Sequence, residues 1–232
     1  MNVEVLVDSE ALAERAVELL VAAAAAAIDE RGQFVWAVSG GSTPRRMLEL
    51  LSERDDLDWS RTHLFQVDER VAPDGDSDRN ALMLDTELLT ESFLQRHTPA
   101  GIHLMPVTAD DLDSACSEYG ALIDGTTGSP AVFDVIQLGM GSDGHTASLI
   151  PDDPILGVDD RDVAMSELYQ GRIRMSFTWP VLDRAKSLLW VIGGESKVEA
   201  VRQFLANDPS IPATLPTQAR ATVLLDEAAN SN

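Results

Sequence analysis

Apolar positions repeat along this chain in two alternating styles. Val3 to Val7 reads as a strand, and Asp8 or Ser9 can cap a helix running through an alanine-rich stretch toward Gly32, a natural terminator. Phe34 to Val38 is a short, continuous apolar run of the kind buried on both faces, and Pro44 sits where the first turn of the next helix should begin. Further strands are expected at 63–67, 102–105, 133–138, 173–177, 188–192 and 222–225, with helices near 80–96, 110–124 and 195–206. Such alternation predicts an α/β fold: a mainly parallel sheet covered by helices on both faces.

Turn signals are spread evenly and no Pro, Gly or Ser-rich linker separates two hydrophobic halves, so residues 1–232 are expected to form a single domain. The alanine run reads as helix propensity on a packed helix, and no 20 to 50 residue repeat is present. At 44% hydrophobic and 24% charged residues the composition is that of an ordinary globular protein. One cysteine, Cys116, rules out an intramolecular disulfide and a multi-thiolate metal site, and suits a reducing, cytoplasmic setting. The longest uncharged apolar run, Leu19 to Ile28, is about half of the roughly 20 residues that cross a bilayer. The first residues lack the basic start and apolar centre of a secretion signal. A net charge of −22 opposes binding to a phosphate backbone, so neither membrane nor nucleic acid is an expected partner.

In open parallel sheets ligands bind beyond the carboxyl ends of the strands, which directs attention to the segments following them. After Val38 comes Ser39-Gly40-Gly41-Ser42-Thr43-Pro44, where two glycines allow close backbone approach and a helix begins. Free amides at a helix N-terminus and flanking hydroxyls make an anion site; a tight glycine turn with an N-cap explains the same residues. After Val67 comes Asp68-Glu69-Arg70-Val71, which suits either contact with a charged polyol or a surface ion pair. The third segment, Leu138-Gly139-Met140-Gly141-Ser142-Asp143-Gly144-His145-Thr146-Ala147-Ser148, contains a formal G-x-G-x-x-G. Pro151 follows too soon for the long helix that a dinucleotide pyrophosphate needs.

His145 lies in that loop, flanked by glycine and hydroxyl residues, and histidine titrates close enough to neutrality to serve as a general base. A structural imidazole bonded to backbone carbonyls is the alternative. His63, His97 and His103 lie in expected strands or a loop and read as structural. Lys197, in Gly193-Gly194-Glu195-Ser196-Lys197, and Arg174 are either anion ligands or solvated surface cations. Screening over about 8 Å lets a local basic pocket hold phosphate inside an acidic chain. Asp74, Asp76 and Asp78 alternate as in a calcium loop, but Arg79 replaces the required glycine and Asp85 the closing glutamate, which favours a polar loop.

Taken together and in order, these segments resemble the 6-phosphogluconolactonase family, within the wider group that includes glucosamine-6-phosphate deaminases. The resemblance spans nearly the whole chain. It rests on SGGSTP at 39–44, DERV at 68–71 with Asn80 downstream, LGMGSDGHTASLIP at 138–151, RMSFT with Pro180 at 174–180, and GGESK at 193–197. It implies a Rossmann-like three-layer sandwich that hydrolyses 6-phospho-D-glucono-1,5-lactone, a sugar-phosphate lactone, with no metal or organic cofactor, acting as a monomer or homodimer. By analogy Gly40, Gly41, Ser42, Thr43, Arg174 and Lys197 would hold the phosphate. Asp68, Arg70, Gly141, Asp143 and Gly144 would surround the ring, and His145 would deprotonate water. Oxyanion donors are expected at Arg70 or the glycine amides of 141–144.

Two departures from the family pattern stand out. Arg79 precedes Asn80 where many relatives have serine. The deaminases carry a catalytic glutamate just before the proline that follows the histidine segment, whereas Ile150 precedes Pro151 here, so the lactonase reading is favoured over its nearest catalytic relative. The competing expectations are an amino-sugar-phosphate deaminase or isomerase, and a noncatalytic sugar-phosphate sensor.

Overall fold

A computed structural model describes residues 1–231. Ten strands and seven α-helices follow one another: β1 Asn2–Leu6, α1 Ser9–Arg31, β2 Phe34–Val38, α2 Thr43–Ser52, β3 Thr62–Gln66, β4 Asp68–Arg70, α3 Asn80–Met83, α4 Glu91–Arg96, β5 Gly101–His103, α5 Leu112–Thr127, β6 Val135–Leu138, β7 Val163–Met165, β8 Arg174–Phe177, α6 Trp179–Arg184, β9 Leu188–Ile192, α7 Val198–Leu205 and β10 Ala221–Asp226. Seven strands form a parallel sheet in the order β1-β10-β9-β6-β2-β3-β5.

Strand β2 shows why the sheet is covered on both sides. All five of its residues are buried, and their alternation sends Val35 and Ala37 into one apolar cluster and Phe34, Trp36 and Val38 into the other. One cluster takes Leu12, Leu20 and Ala24 of α1 with Met47 and Leu51 of α2; the other takes Ile123 of α5 and Phe204 of α7. Helix α1 starts where the Asp8 carboxylate accepts from the amide of Ala11 at 2.9 Å, and stops at Gly32, whose φ of 81° is the left-handed cap. Among the described residues no helix is long and apolar enough to cross a membrane.

The segment 173–177 departs from the expected parallel sheet. It forms β8, which pairs antiparallel with both β4 and β7 in a separate three-stranded sheet. Parallel pairing needs a crossover of a dozen or more residues, and the stretch 166–173 between β7 and β8 is long enough only for a hairpin. The expected helix over 80–96 is also broken. A π-helical turn at Leu84–Leu88 follows α3, Leu89 leaves helical geometry, and the Thr90 hydroxyl caps α4 by accepting from the Phe93 amide at 3.2 Å. That break seats Phe93 edge-on against Trp59, ring centroids 4.9 Å apart, in the core.

Candidate active site

Four chain segments leave the carboxyl ends of β2, β3, β6 and β9 and meet in one cleft. Its walls include Gly40, Gly41, Ser42, Thr43, Asp68, Arg70, Gly141, His145, Arg174 and Lys197. The cleft opens between the neighbouring strands β2 and β6, whose onward connections lead to β3 on one side and to β9 on the other, the switch point at which such sheets bind ligands.

The first wall is the turn into α2. Ser42 occupies the capping position, yet its side chain makes no capping hydrogen bond. Among the described residues the amides of Gly40, Gly41 and Ser42 likewise find no acceptor, while Ser39 is tied to Gln137 on β6. Donors left free at a helix N-terminus favour an anion. Gly40 is required for close approach: a Cβ there would lie 1.8 Å from Asn80 Oδ1.

The second wall is β4, where a period of two separates three charged residues. Asp68 and Arg70 line the cleft and Glu69 faces away, fully buried. Glu69 accepts from the amides of Arg70, Asn80 and Ala81, each at 2.8 Å, and pairs with the buried Arg79 at 3.2 Å. The amides it fixes belong to the start of α3, so Glu69 sets the position of Asn80. Asn80 in turn donates to the Asp68 carbonyl at 2.8 Å and accepts from Arg70 Nη1 at 3.0 Å. Asp68 Oδ2 also accepts from the Ser148 hydroxyl at 2.8 Å. Asn80, Ser148 and Glu69 thus brace the two residues that face the cleft.

The third wall carries His145. Its Nδ1 lies 2.6 Å from Asp143 Oδ1, and Asp143 Oδ2 accepts from the Tyr169 hydroxyl at 2.8 Å. Burial alone would raise the Asp143 carboxyl; the Tyr169 hydrogen bond and the neighbouring imidazole outweigh it and hold the group below the ordinary carboxylate range. An ionised carboxylate only accepts, so the tautomer it selects in a neutral imidazole has the proton on Nδ1 and the lone pair on Nε2. A Cβ on Gly141 would meet His145 Nδ1 at 2.1 Å, which explains a glycine beneath the ring.

Not every expected ligand faces the cleft. Asp143 stands behind His145, and Gly144 is turned against Ile211, so neither lines the cavity. The Gly141 amide donates to the His145 carbonyl at 2.8 Å and the Gly144 amide to the Gly141 carbonyl at 3.1 Å, which removes both as oxyanion donors. Because the loop closes on itself in this way, no helix starts at the G-x-G-x-x-G, unlike a dinucleotide fingerprint.

Cations decide the character of the cleft. Of the 17 lysines and arginines, Arg70, Arg174, Lys197 and Arg220 alone form no ion pair among the described residues, and the first three line this cavity. Burial pushes the Lys197 ammonium below the ordinary lysine value. The Arg174 guanidinium is lowered by burial and by Arg70, with Asp68 acting in the opposite sense. The buried Nε donors of Arg70 and Arg174 have no acceptor among the described residues. Desolvated cations and unspent donors within one hollow of a strongly acidic chain are suited to a multiply charged anion.

Elsewhere the alternating aspartates are taken up in ion pairs: Asp74 with Arg79, and Asp76 and Asp78 with Arg172. His63 and His103 lie 3.1 Å apart on β3 and β5, and His97 packs beside Trp59 and Phe93; none lines the cleft. Tyr169 was not expected. It lies at the turn between β7 and β8, and no local pattern announces its contact with Asp143.

Known proteins share this architecture. Residues 7–225 match the family described as glucosamine-6-phosphate isomerases/6-phosphogluconolactonase. The chain is 35% identical over 239 residues to the 6-phosphogluconolactonase of Synechocystis sp., covering 100% of this chain and 98% of that protein. It is 32% identical over 238 residues to the 6-phosphogluconolactonase of Nostoc sp., covering 99% and 97%. The crystal structure of 6-phosphogluconolactonase from Leishmania guyanensis superposes with a TM-score of 0.85 at 26% identity, covering 100% and 98% of the two chains.

Proposed function

Because the chain belongs to the glucosamine-6-phosphate isomerase/6-phosphogluconolactonase family, we propose that its cleft hydrolyses 6-phospho-D-glucono-1,5-lactone to 6-phospho-D-gluconate, in the oxidative pentose phosphate pathway, with His145 as general base. The observation that carries this reading is the convergence of three cations without carboxylate partners and one oriented imidazole in a single cavity.

Lys197, Arg174 and the free amides of Gly40, Gly41 and Ser42, with the Ser42 and Thr43 hydroxyls, take the phosphate. The lactone ring then lies between Asp68, Arg70 and the loop that presents His145. Asp143 keeps the proton on Nδ1, so Nε2 receives a proton from water as the water oxygen bonds to C1. The carbonyl electron pair moves onto its oxygen, which accepts from the Arg70 guanidinium at the cleft wall. When the tetrahedral species collapses, the bond from C1 to the ring oxygen breaks and the imidazolium returns its proton to that oxygen. Lactone and water give the open hydroxy acid, and no covalent enzyme intermediate is needed. A base of this kind contributes typically about 10² to 10⁴-fold, and holding the remote phosphate fixes the ring against the water.

A deaminase would need a carboxylate near the position of Ile150. That residue is an apolar side chain, 5% exposed, outside the cleft wall. A cytoplasmic setting agrees with the single, buried Cys116.

Lactone opening releases a proton, so a pH-stat with freshly prepared substrate measures it directly. The expected result is opening faster than the spontaneous rate. Binding of 6-phosphogluconate without acceleration would identify a sensor, and ammonia release from an amino-sugar phosphate would identify a deaminase.

A further inference from the structure

We propose that Tyr169 is a positioning residue that holds the base and the phosphate grip in a single alignment, an inference that rests on the lactonase reading of the cleft. Its hydroxyl donates to Asp143 Oδ2 at 2.8 Å, while Asp143 Oδ1 holds His145 Nδ1 at 2.6 Å. Its ring stands edge-on to the His145 imidazole, with centroids 5.4 Å apart at 70°. The Arg174 guanidinium lies over the same ring, 5.0 Å from its centroid. One half-buried side chain therefore touches the group that orients the imidazole, the imidazole itself, and one of the three unpaired cations.

The backbone that carries it is stiff. Tyr169 and Arg172 exchange backbone hydrogen bonds of 2.9 and 3.1 Å, and the residues between them, Gln170 and Gly171, both have positive φ, 50° and 82°. This is the primed two-residue turn whose twist matches an antiparallel pair. Gln170 adds a donor to the Tyr169 hydroxyl at 3.2 Å and accepts from Arg174 Nη2 at 3.3 Å. Arg172 pins the turn to Asp76 and Asp78 in the loop after β4. Burial and the Asp143 hydrogen bond push the Tyr169 phenol up, so it remains a donor throughout the neutral range.

Two substitutions separate the hydroxyl from the ring. Tyr169→Phe keeps the seat of Arg174 and removes the bond to Asp143; it is expected to lower kcat about tenfold, the weight of one hydrogen bond to a charged group, with KM within about twofold of wild type. Tyr169→Leu removes both and is expected to lower kcat as much while raising KM at least about fivefold. Proton–nitrogen NMR of the His145 ring supplies a readout independent of turnover, and the Nδ1-bound proton should shift in Tyr169→Phe. Wild-type kcat and an unmoved ring signal in Tyr169→Phe, with His145→Ala inactive, would overturn the role of Tyr169 and leave the base in place. Equal KM values in the two Tyr169 variants would overturn its link to the cation. Wild-type turnover in His145→Ala would overturn the base assignment and this proposal with it.

Discussion

Arg70 and Arg174 stand directly opposite each other across the antiparallel β4–β8 ladder. Like charges at facing positions weaken a ladder, and neither guanidinium forms an ion pair among the described residues, although Asp68 counters part of the repulsion felt by Arg174. An anion bound between them would remove that cost. Inorganic phosphate or 6-phosphogluconate should therefore raise the melting temperature, by an amount that shrinks as salt rises, and saturation at 100 times Kd corresponds to about 2.7 kcal/mol. Arg174→Met should lose much of this shift and raise KM about 10 to 100-fold, the range for a hydrogen bond to a charged group. Thermal melts across a phosphate series, paired with initial rates, check both.

Lys197 leads to an opposite expectation for the empty protein. Its folded pKa lies below the ordinary value because of burial, with Asp143 acting against the shift. Between that lowered value and about 10.4 the unfolded chain binds more protons, so stability rises with pH through this window. Below the window the full penalty of charging Lys197 is present. Lys197→Met should accordingly melt higher than wild type at neutral pH without ligand, while its KM rises about 10 to 100-fold. A variant that melts lower and keeps wild-type KM would contradict both parts.

The division of labour between Asp143 and His145 is open to a direct kinetic comparison. His145→Ala should cut kcat by about 10² to 10⁴-fold with KM little changed, because the phosphate grip is untouched. Asp143→Asn retains the shape but no longer fixes the proton on Nδ1, and a drop in kcat of at least about tenfold is expected. If Asp143 contacted substrate instead, the loss would be dominated by KM.

Gly40→Ala tests the packing between the phosphate loop and Asn80. The new methyl group would overlap Asn80 Oδ1, so either the loop or Asn80 must move. Overpacking of this sort costs about 1–3 kcal/mol, and KM should rise because Asn80 steadies Asp68 and Arg70. Steady-state kinetics with a melt reads both effects.

Glu69→Ala strikes the same region from below. It would strand the buried Arg79 and free the amides at the start of α3, at a cost of about 3–5 kcal/mol. Urea unfolding measures that cost.

Much of this arrangement is legible in the sequence because two of the cleft-lining segments, 39–44 and 139–147, directly follow apolar runs that read as buried strands. Phe34 to Val38 leads directly to Ser39-Gly40-Gly41-Ser42-Thr43, and Val135 to Leu138 to the loop of His145. The small antiparallel sheet escapes the same reasoning, since Asp68-Glu69-Arg70 has no apolar alternation and takes its strand geometry from β8. Side also escapes: spacing brings Asp143 near His145 but does not say that it stands behind the ring rather than beside the substrate. Tyr169 is 26 residues from Asp143 and joined to it only by tertiary structure.

Strand β10 supplies a last consequence, one of biosynthetic timing. Residues 221–226 lie between β1 and β9, and Asp226 takes the Gly194 amide on both carboxylate oxygens at 3.0 Å, in the turn that leads to Lys197. During translation the anion grip and the sheet edge at Asn2–Leu6 must both wait until residues 221–226 have left the ribosome. A nascent chain short of that point should be sensitive to protease and deaf to phosphate, and pairings spanning so much of the chain are the slow ones to form.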